Sequence, residues 1–378
     1  MAQFERLATR LVGRLAQAPR ITPFRWGTLF PWRLSQAPLY IMMIPGLGSE
    51  RQAPSAKRQT PNAKRGTPNP ELRGLRLEGD LVQVPPMQLL ATSDLHLVPP
   101  WRSRVVKIVQ EWVGEHRPDA VLIAGDLAVP AEAKTACAEL RRCFPDGPIA
   151  LCLGNHDFWV GHSARDSCRD LAEVVRRYWV PAAAAQEIIL LDCENGQIDG
   201  LTVCGGYGHY DLGFSVPDLA FSGTRVERSH YLSGRPPVPT HLRWRDFDQM
   251  PRGLQLLEVA QEQISQLGAR LVEAGTGPIL AVVHTPPFES LLGLPPRESL
   301  DQSAPTIYAF FRAYLGNRRM GQLLEKHCGR LLGVVCGHTH RASGPLDLGG
   351  YFGVNVGSDY GQPRACLINP TERSVVRI

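Results

Sequence analysis

Leu151-Cys152-Leu153-Gly154-Asn155-His156-Asp157 is an apolar run that stops at a glycine and then presents three polar side chains in succession. The apolar part, residues 149–153, has the length of a strand and no polar face, which predicts a strand buried on both sides. Glycine allows the chain to turn at its end without a Cβ clash. The Asn, His and Asp that follow can serve in turn as a metal ligand, a proton donor or acceptor, and the group that orients it. Four further apolar runs end in the same way, and that repetition decides the fold.

Those runs are 89–93 leading into Asp94-Leu95-His96, 120–124 into Gly125-Asp126, 278–283 into His284, and 331–336 into Gly337-His338-Thr339-His340. Helical patterns lie between them. Residues 102–116 carry a broad apolar face of Val105, Val106, Ile108, Val109, Trp112 and Val113, and further helices are predicted at 131–143, 165–179, 254–273 and 320–328. Alternating strands and helices of these lengths predict an α/β protein with parallel strands. Segments 187–194 and 201–205 flank Asn195-Gly196 and predict a hairpin-like pair closed by that tight turn. Residues 207–251 are rich in Gly, Pro, Arg and aromatics without a period, as expected of a long functional or lid-like loop. Each of its histidines, His209, His230 and His241, reads singly as structural or solvated. The tail, 344–378, reads as further strands.

At 378 residues, 43% hydrophobic and 20% charged, the chain has the composition of a soluble globular protein, with length for one large α/β domain plus extras or for two smaller domains. The net charge of +5 is unevenly spread: residues 1–80 hold 13 basic and 5 acidic side chains, leaving 28 basic and 31 acidic in the body. The basic, Pro-rich leader reads as largely disordered or as a short amphipathic helix at 4–16, able to touch an anionic membrane surface or to serve as an Arg-rich transit peptide. Met87-Gln88-Leu89-Leu90 opens the first of these strands, so the pattern also allows a functional product that begins at Met87. No apolar run reaches the roughly 20 residues that span a bilayer. Nine scattered cysteines without a C-x-x-C pair predict a reducing, cytoplasmic setting and no disulfide framework.

In open α/β sheets, ligand groups collect beyond the carboxyl ends of the strands. Five strands here deliver Asp94, His96, Asp126, Asn155, His156, His284, His338 and His340 to that edge. Taken alone, each fragment fits a surface turn or a core histidine; their joint order points to one site. Carboxylate, amide and imidazole donors without thiolate suit Mn, Fe, Zn or Co. The set is large enough for two metal ions, since one carboxylate can bridge both.

The chain from Met87 to at least Arg341 resembles the calcineurin-like metallophosphoesterase superfamily, whose blocks run D-x-H, G-D, G-N-H-D, H and G-H-x-H. All five stand here in order, without a substitution. The resemblance implies two mixed β-sheets packed together and flanked by helices, a four-layer α/β/β/α domain over 81–378 with the 207–251 insertion. It implies that Asp94, His96, Asp126 and His340 hold one divalent metal, and that Asp126, Asn155, His284 and His338 hold the other. It also implies that hydroxide bridging the metals attacks phosphorus while His156 protonates the leaving oxygen, with Asp157 orienting its imidazole.

Leu127-Ala128-Val129-Pro130 after the second block, and Asp157 closing the third, depart from the serine/threonine protein phosphatases, which carry Arg and Glu there. The lipid-A-pathway pyrophosphatases have Arg at the place of His156. The expectation is therefore a bacterial-type hydrolase of a phosphomonoester or phosphodiester on a small molecule, selected by 207–251 and the loop 286–303. A nuclease is the alternative that the basic leader keeps open, and a non-catalytic scaffold is the alternative of a different class.

Overall fold

The computed structural model describes residues 86–300 and 305–378. The leader at 1–80, its amphipathic helix and the domain boundary expected at 81 lie outside the described residues. In chain order the strands are β1 (Leu89–Thr92), β2 (Ala120–Ala124), β3 (Ile149–Cys152), β4 (Ile188–Leu190), β5 (Gly196–Ile198), β6 (Leu201–Gly206) and β7 (Ala220–Phe221). They continue with β8 (Thr224–Arg225), β9 (Ile279–Val283), β10 (Leu331–Cys336), β11 (Ser343–Asp347), β12 (Phe352–Asn355), β13 (Ala365–Asn369) and β14 (Ser374–Arg377). One six-stranded sheet has the order β14-β13-β1-β2-β3-β4, and the other has the order β11-β12-β10-β9-β6-β5. Each is mixed. β1 to β4 are mutually parallel with β13 antiparallel to β1, and β6, β9, β10 and β12 are parallel with β5 and β11 antiparallel.

Successive side chains on a strand face opposite ways, so a strand buried on both sides feeds two cores. In β2, Ala120, Leu122 and Ala124 join the cluster shared between the sheets, whereas Val121 and Ile123 join the cluster outside the first sheet. That outer cluster is completed by the helices α1 (Arg102–His116) and α2 (Ala133–Cys143) through Val105, Val109, Ala136 and Leu140. In β9, Leu280 and Val282 face the first sheet, while Ile279, Ala281 and Val283 pack outward. Helices α3 (Leu256–Glu273) and α4 (Arg318–Glu325) cover that outer side through Leu267, Leu271, Met320 and Leu324. Two sheets with helices on both outer faces result, as the family resemblance implies.

Two local expectations are corrected. Ile188–Leu190 does not pair with β6: it lies parallel to β3 in the first sheet, and the hairpin is β5 with β6. The turn is at Asp199-Gly200, both with positive φ (44° and 83°), and residues 191–195 carry the chain from one sheet to the other. The predicted helix at 165–179 begins only at Leu171, where the Asp170 side chain accepts from the Glu173 amide. It then runs through a π-helical turn at Val175–Trp179 and on to Ala184. The 207–251 insertion, periodless in sequence, contains the β7–β8 pair and short helices at Arg228–Ser233 and Asp246–Gln249.

Candidate metal centre

The turns after β1, β2, β3, β9 and β10 all lie at the same edge of the two sheets. Five of the seven expected ligands adopt left-handed backbone there: Asp94 (φ 52°), His96 (42°), Asp126 (55°), His338 (70°) and His340 (55°). Non-glycine residues in this region cost on the order of 1 kcal/mol each and persist where surrounding structure enforces them. Close approach requires the motif glycines. A Cβ on Gly154 would overlap the Asp126 carboxylate and the His284 ring, and one on Gly337 would overlap the Asp94 carboxylate.

Ligand atoms of Asp94, His96, Asp126 and His340 lie within 4.8 Å of one another, and all four residues are buried. His96 Nε2 faces His340 Nε2 at 3.4 Å, and His340 Nε2 is 3.6 Å from Asp94 Oδ1. A second group converges beside them. Asn155 Oδ1 is 3.0 Å from His284 Nε2 and 2.9 Å from His338 Nδ1, and the two imidazole nitrogens are 3.2 Å apart. Asp126 sits between the groups, with Oδ2 3.8 Å from His96 Nε2 and Oδ1 3.4 Å from His284 Nε2.

The electrostatics fit a cation. Burial pushes the Asp94 and Asp126 carboxyls above the usual range, and the charges of Asp94 and Asp157 push Asp126 further. Burial and mutual repulsion hold His96 and His284 well below the ordinary histidine range, and burial takes His338 down to about 4. Neutral imidazoles and crowded carboxylates with inward lone pairs are the donor set of a divalent first-row metal. The outward nitrogens are assigned in one group: His284 Nδ1 lies 2.9 Å from the Ala124 carbonyl and His338 Nε2 lies 2.9 Å from the Tyr314 carbonyl. Each carbonyl can only accept, so each opposite nitrogen is left with its lone pair facing the centre.

His156 borders the centre with its side chain 12% exposed, and its Nε2 lies 3.9 Å from Asp126 Oδ2. Its ring stacks on Trp159 at 3.7 Å. Asp157 does not orient that ring, contrary to the expectation from sequence. Its buried carboxylate accepts from the amides of Gly154, Ala128 and Leu127 at 2.7, 2.9 and 3.3 Å, so it fixes the turns after β2 and β3. Its place directly after His156 turns it inward, where unpaired amides need an acceptor. Desolvation still raises its carboxyl to about 8.

Several residues escaped the sequence reading. Asp246, from the insertion, accepts from Asn155 Nδ2 at 3.0 Å. Tyr360 stacks over His96 at 4.3 Å, and Asp359 lies 3.4 Å from His340 Nδ1. Asn355 donates to the carbonyls of Leu291 and Gly337 and to Thr339 Oγ1, which holds the β10 turn. The signal for Asn355 was legible: it ends one more apolar strand, Phe352–Asn355. Asp246 gave no such signal. Of the insertion's histidines, His209 is buried against Tyr207 Oη at 2.8 Å, His230 accepts from the Glu227 amide, and His241 is exposed. Among its arginines, Arg225 pairs with Asp218 and Arg243 with Asp248. Asp246 and Tyr210 also line a cavity of ≈ 330 Å³ with Arg165, Arg243 and His209.

Residues 87–342 match the family model described as calcineurin-like phosphoesterase. Among solved structures the chain is similar to TT1561 of Thermus thermophilus, at 15% identity and TM-score 0.41, covering 78% of this chain and 99% of that one. It is similar to a dimetal phosphatase from Danio rerio at 14% identity and TM-score 0.40, with 79% and 98% covered. The GAP50 anchor of the Plasmodium inner membrane complex is similar at 12% identity and TM-score 0.34, with 75% and 81% covered. No curated protein sequence matches the chain. Among the described residues, no helix is long and apolar enough to cross a membrane.

Proposed function

The chain belongs to the calcineurin-like phosphoesterase family, and from that premise we propose that it hydrolyses a small phosphomonoester or phosphodiester with two divalent cations. The observation that carries this reading is Asp126, whose two carboxylate oxygens face two separate groups of buried donors. Asp94, His96 and His340 would share one cation with it, and Asn155, His284 and His338 the other. When bound, such cations polarise a phosphoryl oxygen and acidify water. The oxygen and imidazole donors suit Mn, Fe, Zn or Co.

The chain's own residues do the rest. His156 stands at the open side of the centre, where its Nε2 can meet a leaving oxygen. Burial and the neighbouring imidazoles favour its neutral form. A phosphate's negative charge placed beside it favours the imidazolium, so the proton is present when substrate is. Trp159 holds the ring in place by stacking. Asp157 keeps the turns that carry Asp126 and Asn155 in register.

The body's balance of 28 basic to 31 acidic residues outside 1–80 supports a small ester over nucleic acid, which requires a basic face. A cytoplasmic setting belongs to the same reading, supported by nine free thiols of which seven are buried. The test is hydrolysis of bis-p-nitrophenyl phosphate and p-nitrophenyl phosphate by Mn²⁺-loaded protein, with Asp126→Asn and His156→Ala alongside. Cleavage lost in both variants supports the reading, and the preferred ester decides between phosphodiesterase and phosphatase. Wild-type activity no higher than the variants' on either ester counts against it.

A further inference from the structure

Asp246 lies 91 residues beyond Asn155, on the insertion, yet it is only 2% exposed and receives four side-chain donors. Its Oδ1 accepts from Asn155 Nδ2 at 3.0 Å and from Trp159 Nε1 at 2.8 Å. Its Oδ2 accepts from Trp244 Nε1 at 3.0 Å and from Tyr210 Oη at 3.1 Å. We propose that Asp246 is a positioning residue that fixes the Asn155 amide with its oxygen toward His284 and His338, and so completes one metal site from the insertion. The inference rests on the two-cation reading given above.

The direction of the amide follows from the chemistry of its neighbours. The two atoms that end an asparagine side chain are nearly the same size, and their order is set by what surrounds them. An indole N–H can only donate, so Trp159 and Trp244 identify both Asp246 oxygens as acceptors. The Asn155 atom facing Asp246 Oδ1 must therefore be the NH₂ group. The other atom, the carbonyl oxygen, is left 2.9 Å from His338 Nδ1 and 3.0 Å from His284 Nε2. A cation accepts a lone pair from that oxygen and is repelled by an NH₂ group in its place. Removing the carboxylate frees the amide to rotate and present the wrong end.

The same Oδ1 atom also sets Trp159, the ring on which His156 stacks. One oxygen thus positions a metal ligand and the wall behind the catalytic histidine. Tyr210 and Trp244, which hold the opposite oxygen, belong to the insertion, so the insertion fixes its own carboxylate before presenting it. A substitution that retained the fold but lost acceptor character would disturb both contacts together.

The experiment is calorimetric titration of metal-free full-length protein with Mn²⁺, comparing wild type, Asp246→Asn, Asn155→Ala and His340→Ala. Asp246→Asn keeps the volume and changes the donor pattern; Asp246→Glu supplies a second variant that keeps the acceptors, should the first fold poorly. Wild type is expected to bind two ions. Asp246→Asn is expected to weaken one of them by about ten- to a hundred-fold, the scale of lost support behind a metal ligand, and to weaken the same ion as Asn155→Ala. The ion affected by His340→Ala should be retained. Hydrolysis by Asp246→Asn should recover as Mn²⁺ is raised, which a general loss of structure would not do. Two ions bound by Asp246→Asn as tightly as by wild type overturn the proposal and leave the two-cation reading standing. A wild type that binds one ion overturns that reading, and the proposal with it.

Discussion

The two halves of the centre are secured by different means. Around Asn155, His284 and His338, each ligand's outward polar atom is committed: to Asp246, to the Ala124 carbonyl and to the Tyr314 carbonyl. Asn155 has ordinary helical backbone at φ −63°. Around Asp94, His96 and His340 the backbone is left-handed at every ligand, and the rings are confined by Tyr360 at 4.3 and 4.9 Å. Asp359 lies 3.4 Å from His340 Nδ1, yet that nitrogen has no aligned hydrogen-bond partner. Hydrogen bonds choose which atom faces inward, whereas packing confines a ring without choosing. The imidazoles of the first half are therefore set before any cation arrives, while those of the second are set by stacking; left-handed turns occur in both halves, and the Asp94 carboxylate accepts from the His338 amide.

Asp126 is common to both halves, so Asp126→Asn has the largest expected effect. Metal content should fall at both sites, and hydrolysis should drop by at least about 10³-fold, since several kcal/mol of charge stabilisation is lost. Full retention of either ion would show that the halves do not share this carboxylate. His156→Ala comes next. It should lower kcat by about 10²- to 10⁴-fold with both ions still bound, because His156 borders the halves without belonging to either.

Asp359→Ala tests how the packed half is held. Loss of about tenfold in affinity at the ion that His340→Ala removes, with the other ion unchanged, would show Asp359 supporting His340 across its 3.4 Å gap. No change would assign that support to Tyr360 alone.

The smallest effect concerns His209, which is buried against Tyr207 Oη in the insertion. Burial lowers its pKa to about 3, against an ordinary value of 6.5 when unfolded. The unfolded chain therefore binds the proton first, and stability is lost as pH falls from 6.5 toward 3, by up to about 1.4 kcal/mol per unit. His209→Gln should flatten that decline in urea unfolding at pH 7 and pH 5. An equal decline in wild type and variant would mean that His209 takes up its proton at the same pH folded and unfolded.

The strands and the polar residues that gather at their ends were legible because burial on both faces forces long apolar runs, and a polar residue at the end of such a run is conspicuous. Leu151 to Asp157 shows this most clearly. The left-handed turns were not legible, since nothing in Asp94 or His340 announces a positive φ that only surrounding contacts impose. Asn195-Gly196 has the composition of a hairpin turn, but the chain uses Asp199-Gly200, because β4 continues the first sheet beside β3. Asp157 was read from its neighbour in sequence, although its partners are amides of the turns beside it. Asp246 was hidden for the opposite reason: Asn155 and Trp159, the partners that tie it to the centre, lie 91 and 87 residues away, and no local period marks it.

The most direct measurement is anomalous scattering from crystals of the protein grown with Mn²⁺. Two peaks are expected roughly 3.5–4 Å apart, one among Asp94, His96, Asp126 and His340, the other among Asp126, Asn155, His284 and His338. A single peak, or peaks not bridged by Asp126, would contradict a centre in which one carboxylate joins two groups of ligands.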